Sequence, residues 1–193
     1  MRLGVISAAA ALVLAASAAG SSQTTRVTNF RAYLDRGPAP GLTIVRTAKG
    51  ECFAGSIADA RSDAWRCTVG NYVSDPCFSD PAVASWVLCP LDGTPFGTKL
   101  LRISLAKSLP KNLGNKGAAG QGNPWAIKLP GGKICTALTG ATSSFHGRRV
   151  NYSCGRRAFL AGSPDRSKPT WTITLGTGPK SRARTVPIAV AAW

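Results

Sequence analysis

Residues 124–138 read PWAIKLPGGKICTAL, and this stretch decides the fold class of the chain. Trp125, Ile127 and Leu129 alternate with an alanine and a lysine, which is the two-residue period of a β-strand with one buried face and one face in water. A Gly-Gly pair interrupts the pattern, and a second apolar run follows directly. Two such runs around a glycine turn predict a β-hairpin.

The same period recurs along much of the chain. AWRCTV at 64–69 and YVSDPCF at 72–78 predict a second hairpin around a Gly-Asn turn. The chain also contains 21 Gly and 13 Pro, so turn residues separate the apolar runs at short intervals. We therefore predict an all-β fold, a mostly antiparallel sandwich or barrel. Further strands are expected at residues 42–46, 85–89, 100–105, 149–154, 158–160, 170–175 and 187–193.

One segment favours a helix. In residues 56–65, Ser56 can serve as an N-cap, with Asp59 three residues later as in a capping box. We expect at most one short helix, and we expect it there.

The N-terminus has the pattern of a secretory signal peptide. A basic residue, Arg2, precedes an apolar run at 3–16, and Ala16-Ser17-Ala18 provides the small residues of a cleavage site. A membrane anchor would need about twenty strongly apolar residues, whereas this run is shorter and rich in alanine. We therefore predict a signal peptide at residues 1–18.

Residues 19–193 are expected to form a single secreted or periplasmic β domain. This length is sufficient for one hydrophobic core. The Gly-, Asn- and Lys-rich loop at 107–123 is a possible subdomain break. No later segment is long and apolar enough to suggest a transmembrane segment.

The cysteines are predicted to form three disulfides. Their number is even, and disulfides persist outside the cytoplasm. No Cys-x-x-Cys pair is present, so we expect no metal site, and no motif indicates a cofactor. The spacing leaves the connectivity open, although neighbouring predicted strands favour a bridge between Cys135 and Cys154. The six residues are Cys52, Cys67, Cys77, Cys89, Cys135 and Cys154.

Residues 144–157, SFHGRRVNYSCGRR, contain the only histidine, eight residues before a cysteine. This stretch is similar to the nucleophile region of cell-wall L,D-transpeptidases, which implies a cysteine enzyme using Cys154 and His146. The family places its His-Gly well upstream of a Ser-x-Gly-Cys-x-Arg block, whereas here Ser153 directly precedes Cys154. We therefore favour a bridged Cys154 and a turn at His146, with the enzyme as an alternative.

Charge is distributed unevenly along the chain. Residues 19–92 contain seven basic and seven acidic side chains, whereas residues 93–193 contain sixteen basic side chains and one acidic side chain, Asp165. Such asymmetry favours an anionic partner, and the alternative is that the excess charge only keeps an exported protein in solution. The predicted binding residues flank one strand or lie in a basic bend near the C-terminus: Arg148, Arg149, Arg156, Arg157, Lys180, Arg182 and Arg184.

These features predict an exported, non-enzymatic domain whose basic C-terminal half binds an anionic envelope or extracellular partner. An anionic polymer, a lipid headgroup or an acidic protein surface would fit, and a secreted inhibitor of an acidic protein is a further alternative. Nucleic acid is not expected, because no recognition motif is present. Four aromatic residues could stack on a ligand, but their apolar settings favour the core: Trp125, Tyr152, Phe159 and Trp171.

The stretches DAWRCTVGNYVSDPCF at 63–78, NPWAIKLPGGKICTALTGA at 123–141 and NYSCG at 151–155 resemble a group of proteins. These are uncharacterised exported bacterial proteins with a Trp-Arg-Cys, Asp-Pro-Cys-Phe and Pro-Trp pattern. The resemblance spans about residues 52–171. It implies export and a disulfide-bearing domain, and it implies no particular activity.

Overall fold

A computed structural model describes residues 23–112, 114 and 122–193. These residues form sixteen strands in three sheets and contain no helix, so the all-β class is confirmed. In the part of the chain described, no helix could therefore cross a membrane. The predicted signal peptide at residues 1–18 lies outside the described residues, as does much of the predicted subdomain break, at 113 and 115–121.

Five strands close into a barrel, and each pairs with the next in antiparallel fashion. In such a meander the first and fifth strands run in the same direction, so the closing pair is parallel. Gly50 permits this closure, because a Cβ there would collide with the Thr68 carbonyl oxygen and with Ile103. The barrel strands are β4 (Thr43–Gly55), β5 (Ala64–Val69), β6 (Tyr72–Asp80), β7 (Val83–Pro90) and β8 (Lys99–Leu105).

The second sheet is an open, curved array that contains most of the C-terminal half. Its members are β1 (Arg26–Thr28), β9 (Ala126–Lys128), β10 (Ile134–Ala137), β11 (Ser144–Phe145), β12 (Arg148–Ser153), β13 (Phe159–Asp165), β14 (Thr172–Gly176), β15 (Arg184–Pro187) and β16 (Val190–Ala192). The order is β1-β16-β9-β10-β12-β13-β14-β15, and β11 pairs with β12. Only the pair of β1 and β16 is parallel. A small separate hairpin joins β2 (Tyr33–Leu34) and β3 (Gly37–Pro38).

Both predicted hairpins form, as β5–β6 and β9–β10. The predicted strand at 187–193 is divided in the structure. β15 ends at Pro187, after which the Ile188 amide donates to the Trp171 carbonyl and the Ala189 amide donates to the Lys128 carbonyl. The chain thus moves from the side of β14 to the side of β9, and the run contains parts of two strands.

The helix expected within residues 56–65 does not form. The Asp59 amide donates to Ser56 Oγ at 2.9 Å, as a helix cap would require. However, the Ser56 hydroxyl itself donates to the Asp75 carboxylate, which also accepts from the Ile57 amide at 3.2 Å. These contacts hold the segment on the barrel wall as an irregular loop.

The sequence predicts that one face of strand β9 lies in water, and this prediction is wrong. Ala126 is fully buried, because its side of the strand packs against the outside of the barrel. At this junction the Trp125 ring lies 6.0 Å from the Phe30 ring and 6.3 Å from the Phe78 ring. The opposite side, with Ile127, packs in the core of the second sheet. Alternation along the strand does not reveal that the barrel covers the face that carries Ala126.

Three disulfides connect the six cysteines. Two lie inside the barrel, joining Cys52 to Cys67 and Cys77 to Cys89, together with Trp65, Val87, Leu101 and Ile103. The third joins Cys135 of β10 to Cys154 just after β12, the pairing that the sequence favours. All six lie in hydrophobic clusters, so the bridges reinforce the two cores.

Removing the third bridge should lower the stability of the protein. The bridge closes a sequence separation of 19 residues, so the double variant Cys135→Ala/Cys154→Ala should lose about 3 kcal/mol in the chain-entropy model. Urea unfolding of the variant and the parent measures this loss. Ser153→Ala, on the same strand, is the matched control and should change stability much less. An unchanged midpoint in the double variant would contradict the expectation.

Asp75 is a buried acid in the barrel wall, and its side chain is 3% exposed. Burial raises the pKa of this carboxyl, although hydrogen bonds from Ser56 and Ile57 and the charge of Arg66 act in the opposite direction. The folded protein therefore binds this proton more tightly than the unfolded chain does. The stabilising contribution of Asp75 is complete below the ordinary pKa of 3.8 and is lost as pH rises through the raised pKa.

The pH dependence of unfolding tests this assignment. The free energy of unfolding of the parent minus that of Asp75→Asn should decrease as pH rises from about 3 to about 7. Asp165 is an internal comparison with the opposite sign, because a hydrogen bond from the Ser167 amide lowers its pKa. The parent minus Asp165→Asn should therefore decrease as pH falls. If the difference in unfolding free energy between the parent and Asp75→Asn instead grows with pH, the hydrogen bonds to Asp75 affect its pKa more than burial does.

Candidate functional site

A cleft of about 470 Å³ opens at one end of the second sheet, in the basic half of the chain. Four other clefts measure between about 250 and about 310 Å³. We call the first the basic cleft. It is lined by Leu138, Ser153, Gly155, Arg156, Arg157, Ala158, Phe159, Thr177, Gly178 and Pro179.

The strand order explains why these distant residues meet. Ser153 at the end of β12 pairs with Phe159 at the start of β13, and Phe159 pairs with Gly176 at the end of β14. The loops 154–158 and 177–183 therefore leave the same end of the sheet side by side. The first loop is closed by the Cys154 amide, which donates to the Ala158 carbonyl at 2.8 Å, and it is anchored by the Cys135–Cys154 bridge.

The floor of the basic cleft is apolar. Phe159 packs edge to face on Phe145, with 4.9 Å between the ring centres, and Leu138 belongs to the same small cluster. A Cβ at Gly176 would lie 2.5 Å from the Phe159 ring and 3.0 Å from Phe145. A glycine at this position thus allows both rings to lie against β14.

The two loops at the cleft carry four exposed cations, and we call them the basic rim: Arg156, Arg157, Lys180 and Arg182. The two arginines of the first loop line the cleft, and Lys180 directly follows the lining residue Pro179. Arg182 directly follows Ser181, whose carbonyl oxygen lies 3.2 Å from Nε2 of His146. The histidine turn therefore contacts the second loop of the rim.

The other three predicted binding residues occupy different positions. Arg148 lies on the same face as the cleft, where its Nη1 donates to Thr174 Oγ1 at 3.3 Å. Arg149 follows it, so strand alternation directs Arg149 to the opposite face of β12. Arg184 pairs with the buried Leu175 and thus projects from the inner face at the sheet edge. The structure thus places four of the seven residues on two adjacent loops, Arg148 on the same face of the sheet, and Arg149 and Arg184 elsewhere.

The basic rim has no acidic partner among the described residues. The four ion pairs among the described residues join the acids Glu51, Asp59, Asp63 and Asp75 to bases at or before Lys107. The only acid of the basic half, Asp165, lies at the far end of β13. Phe159 pairs with Gly176 and Asp165 pairs with Thr172, so the two are about 13 Å apart along the sheet. Positive charge at the rim is therefore uncompensated by the fold.

The predicted enzyme residues lie in different settings. The Cys154 sulfur is bonded to Cys135 and is not available as a thiolate. His146 is exposed, adopts a φ of 47° and forms a turn with Gly147, whose φ is 75°. Its ring contacts Phe145, with 4.4 Å between the ring centres. No group of three metal-ligating side chains occurs in residues 23–112, 114 and 122–193.

The four aromatic candidates divide between core and surface. Trp125 and Tyr152 are each 1% exposed and belong to the core. Trp171 is half-buried beneath the Arg166 guanidinium, 4.8 Å from the ring centre. Phe159 alone of the four reaches the basic cleft. Two other apolar residues of the lining, Leu138 and Pro179, gave no sequence signal, because they come from segments about forty residues apart in the chain.

Thiol chemistry distinguishes the bridged state of Cys154 from the enzyme alternative. Iodoacetamide should add no mass to the unreduced protein, even after unfolding in urea, because no free cysteine is present in the described residues. After reduction, six additions are expected, one for each cysteine. Peptide mapping of the alkylated protein supplies the positions. Alkylation of Cys154 before reduction would restore the cysteine enzyme as a candidate.

Comparison of the chain with protein-family models, with curated proteins and with solved structures gives no match. The site must therefore be interpreted from its own geometry and charge.

Proposed function

We propose that the protein is an exported, non-enzymatic binding domain that holds an anionic partner at the basic cleft. One observation carries this proposal. The largest of the five clefts is lined by Arg156 and Arg157, the loop that faces them carries Lys180 and Arg182, and none of these cations takes part in the ion pairs of the described residues. An anion bound there would supply the missing counter-charge.

The chemistry of the rim supports recognition of an anion. Arg156 and Arg157 offer planar guanidinium groups that can form paired hydrogen bonds with a carboxylate or phosphate. Lys180 and Arg182 add charge from the facing loop. Because all four side chains are exposed, each contact is screened by salt, and the combined field accelerates encounter more than it strengthens any single contact.

Three disulfides also support export. Such bonds persist in the periplasm and outside the cell, and they agree with the signal peptide predicted at residues 1–18. A secreted inhibitor of an acidic protein would use the same rim and is one form of the proposal. The cysteine enzyme is a different candidate. It requires a free thiolate at Cys154, and the bridge to Cys135 opposes it.

A salt gradient on anionic resins tests the proposal. The parent should be retained on heparin and on immobilised polyphosphate at low salt and released as salt rises. Arg156→Glu/Arg157→Glu should elute at clearly lower salt, and its dependence of log affinity on log salt should be shallower by about two. The measurement is the elution salt concentration of each variant, supported by thermal unfolding to confirm the fold.

The matched control is Arg31→Glu/Arg46→Glu, which makes the same change in net charge at two exposed arginines of the balanced half. It should elute much closer to the parent. Equal loss in the two double variants would mean that net charge alone governs retention. That result, or a parent that passes through at low salt, would overturn the proposal.

A further inference from the structure

We infer that the natural occupant of the basic cleft is an acidic peptide segment that inserts one apolar side chain between the two loops and places its neighbouring carboxylates on the basic rim. This inference rests on the proposed function and names the class of partner. Two features of the basic cleft carry it: the floor is apolar, and the border is cationic.

The floor distinguishes between kinds of anion. Leu138 and Phe159 present carbon surface at the floor of the cleft, and Pro179 adds carbon surface to its lining. A polyphosphate or a sulfated polysaccharide offers charge but no apolar group, so it would leave this surface in contact with water. A peptide can supply both parts, because an aliphatic or aromatic side chain can stand next to glutamate or aspartate. Pockets of this type usually contribute most of the affinity at an interface.

The shape also favours a peptide over a lipid surface. Peripheral membrane binding uses apolar side chains that project into the bilayer. The large exposed hydrophobic residues of the described chain all precede the basic half: Val27, Leu34, Val45, Phe53, Tyr72, Val73 and Leu91. Near the rim the apolar surface is concave, so it suits an inserted side chain.

Space for a peptide backbone is available on both loops. Gly155 and Gly178 line opposite sides of the basic cleft. A Cβ built at either glycine would meet no heavy atom within 4 Å. The volume of about 470 Å³ lies within the range of about 300–1,000 Å³ found for small-ligand pockets.

Thr177 allows the cleft to be filled without altering its charge. Its side chain is exposed and lines the cleft, whereas its backbone amide donates to Ser181 Oγ at 2.9 Å. Thr177→Trp therefore adds a large ring to the cleft, keeps that backbone contact and leaves the four cations unchanged. The matched control is Thr47→Trp at an exposed position of the barrel.

The experiment compares two fluorescent peptides with the same number of glutamates, one with a central phenylalanine and one with a central serine. Fluorescence anisotropy gives the Kd of each for the full chain. The parent should bind the phenylalanine peptide about tenfold more tightly, as expected for one well-buried anchor. Thr177→Trp should abolish this preference, and Thr47→Trp should retain it. Arg156→Glu/Arg157→Glu should weaken binding of both peptides.

The outcomes separate the inference from the proposed function. The peptide inference is wrong if the two peptides bind equally and Thr177→Trp has no effect. The proposed function stands in that case if retention on anionic resin still depends on the basic rim. If neither peptide binds but phosphatidylglycerol vesicles or polyphosphate do, the partner is a lipid surface or a polymer instead. If no anionic probe binds, both are overturned.

Discussion

The packing of Trp125 between the barrel and the second sheet is the interaction on which the rest of the structure depends. Its ring contacts Phe30 and Phe78, and its carbonyl accepts the Ala137 amide at 2.8 Å, which aligns the β9–β10 hairpin. Burial of rings of this size is among the larger stabilising contributions in a domain core. Strand β9 is covered on both sides, and it holds β10 in place through their pairing. The Cys135–Cys154 bridge then ties β10 to the loop that forms one wall of the basic cleft.

Charge is segregated by the same architecture. In the barrel, acids such as Asp59 and Asp75 are buried, and each has a basic partner within 4.0 Å. In the second sheet, cations occupy loops and strand ends, and none of them takes part in the ion pairs of the described residues. Unpaired cations on a surface cost little because water solvates them, so stability does not require their neutralisation. Their position beside the basic cleft is the basis of the binding function that we propose.

Much of the fold could be predicted from the sequence, because the signals were local. The two-residue period located both hairpins, and the pairs Gly70-Asn71 and Gly131-Gly132 located their turns. The covered face of Ala126, the missing helix near Ser56 and the division at Pro187 depend on contacts between distant segments, which periodicity does not show. For the site, charge counts found the basic half, but only strand order separates Arg156 and Arg157 from Arg149. The apolar floor required the structure, since its residues meet across four strands.

Mapping a bound polyanion onto the backbone amides tests the central claim most directly. In a ¹⁵N–¹H NMR titration of the uniformly labelled protein with a short polyglutamate, we predict that the largest shift changes fall in residues 153–159 and 176–183. Amides of the barrel strands should change little, and the changes should diminish as salt is added. Changes spread evenly over all exposed basic residues, or concentrated on the barrel, would contradict the account.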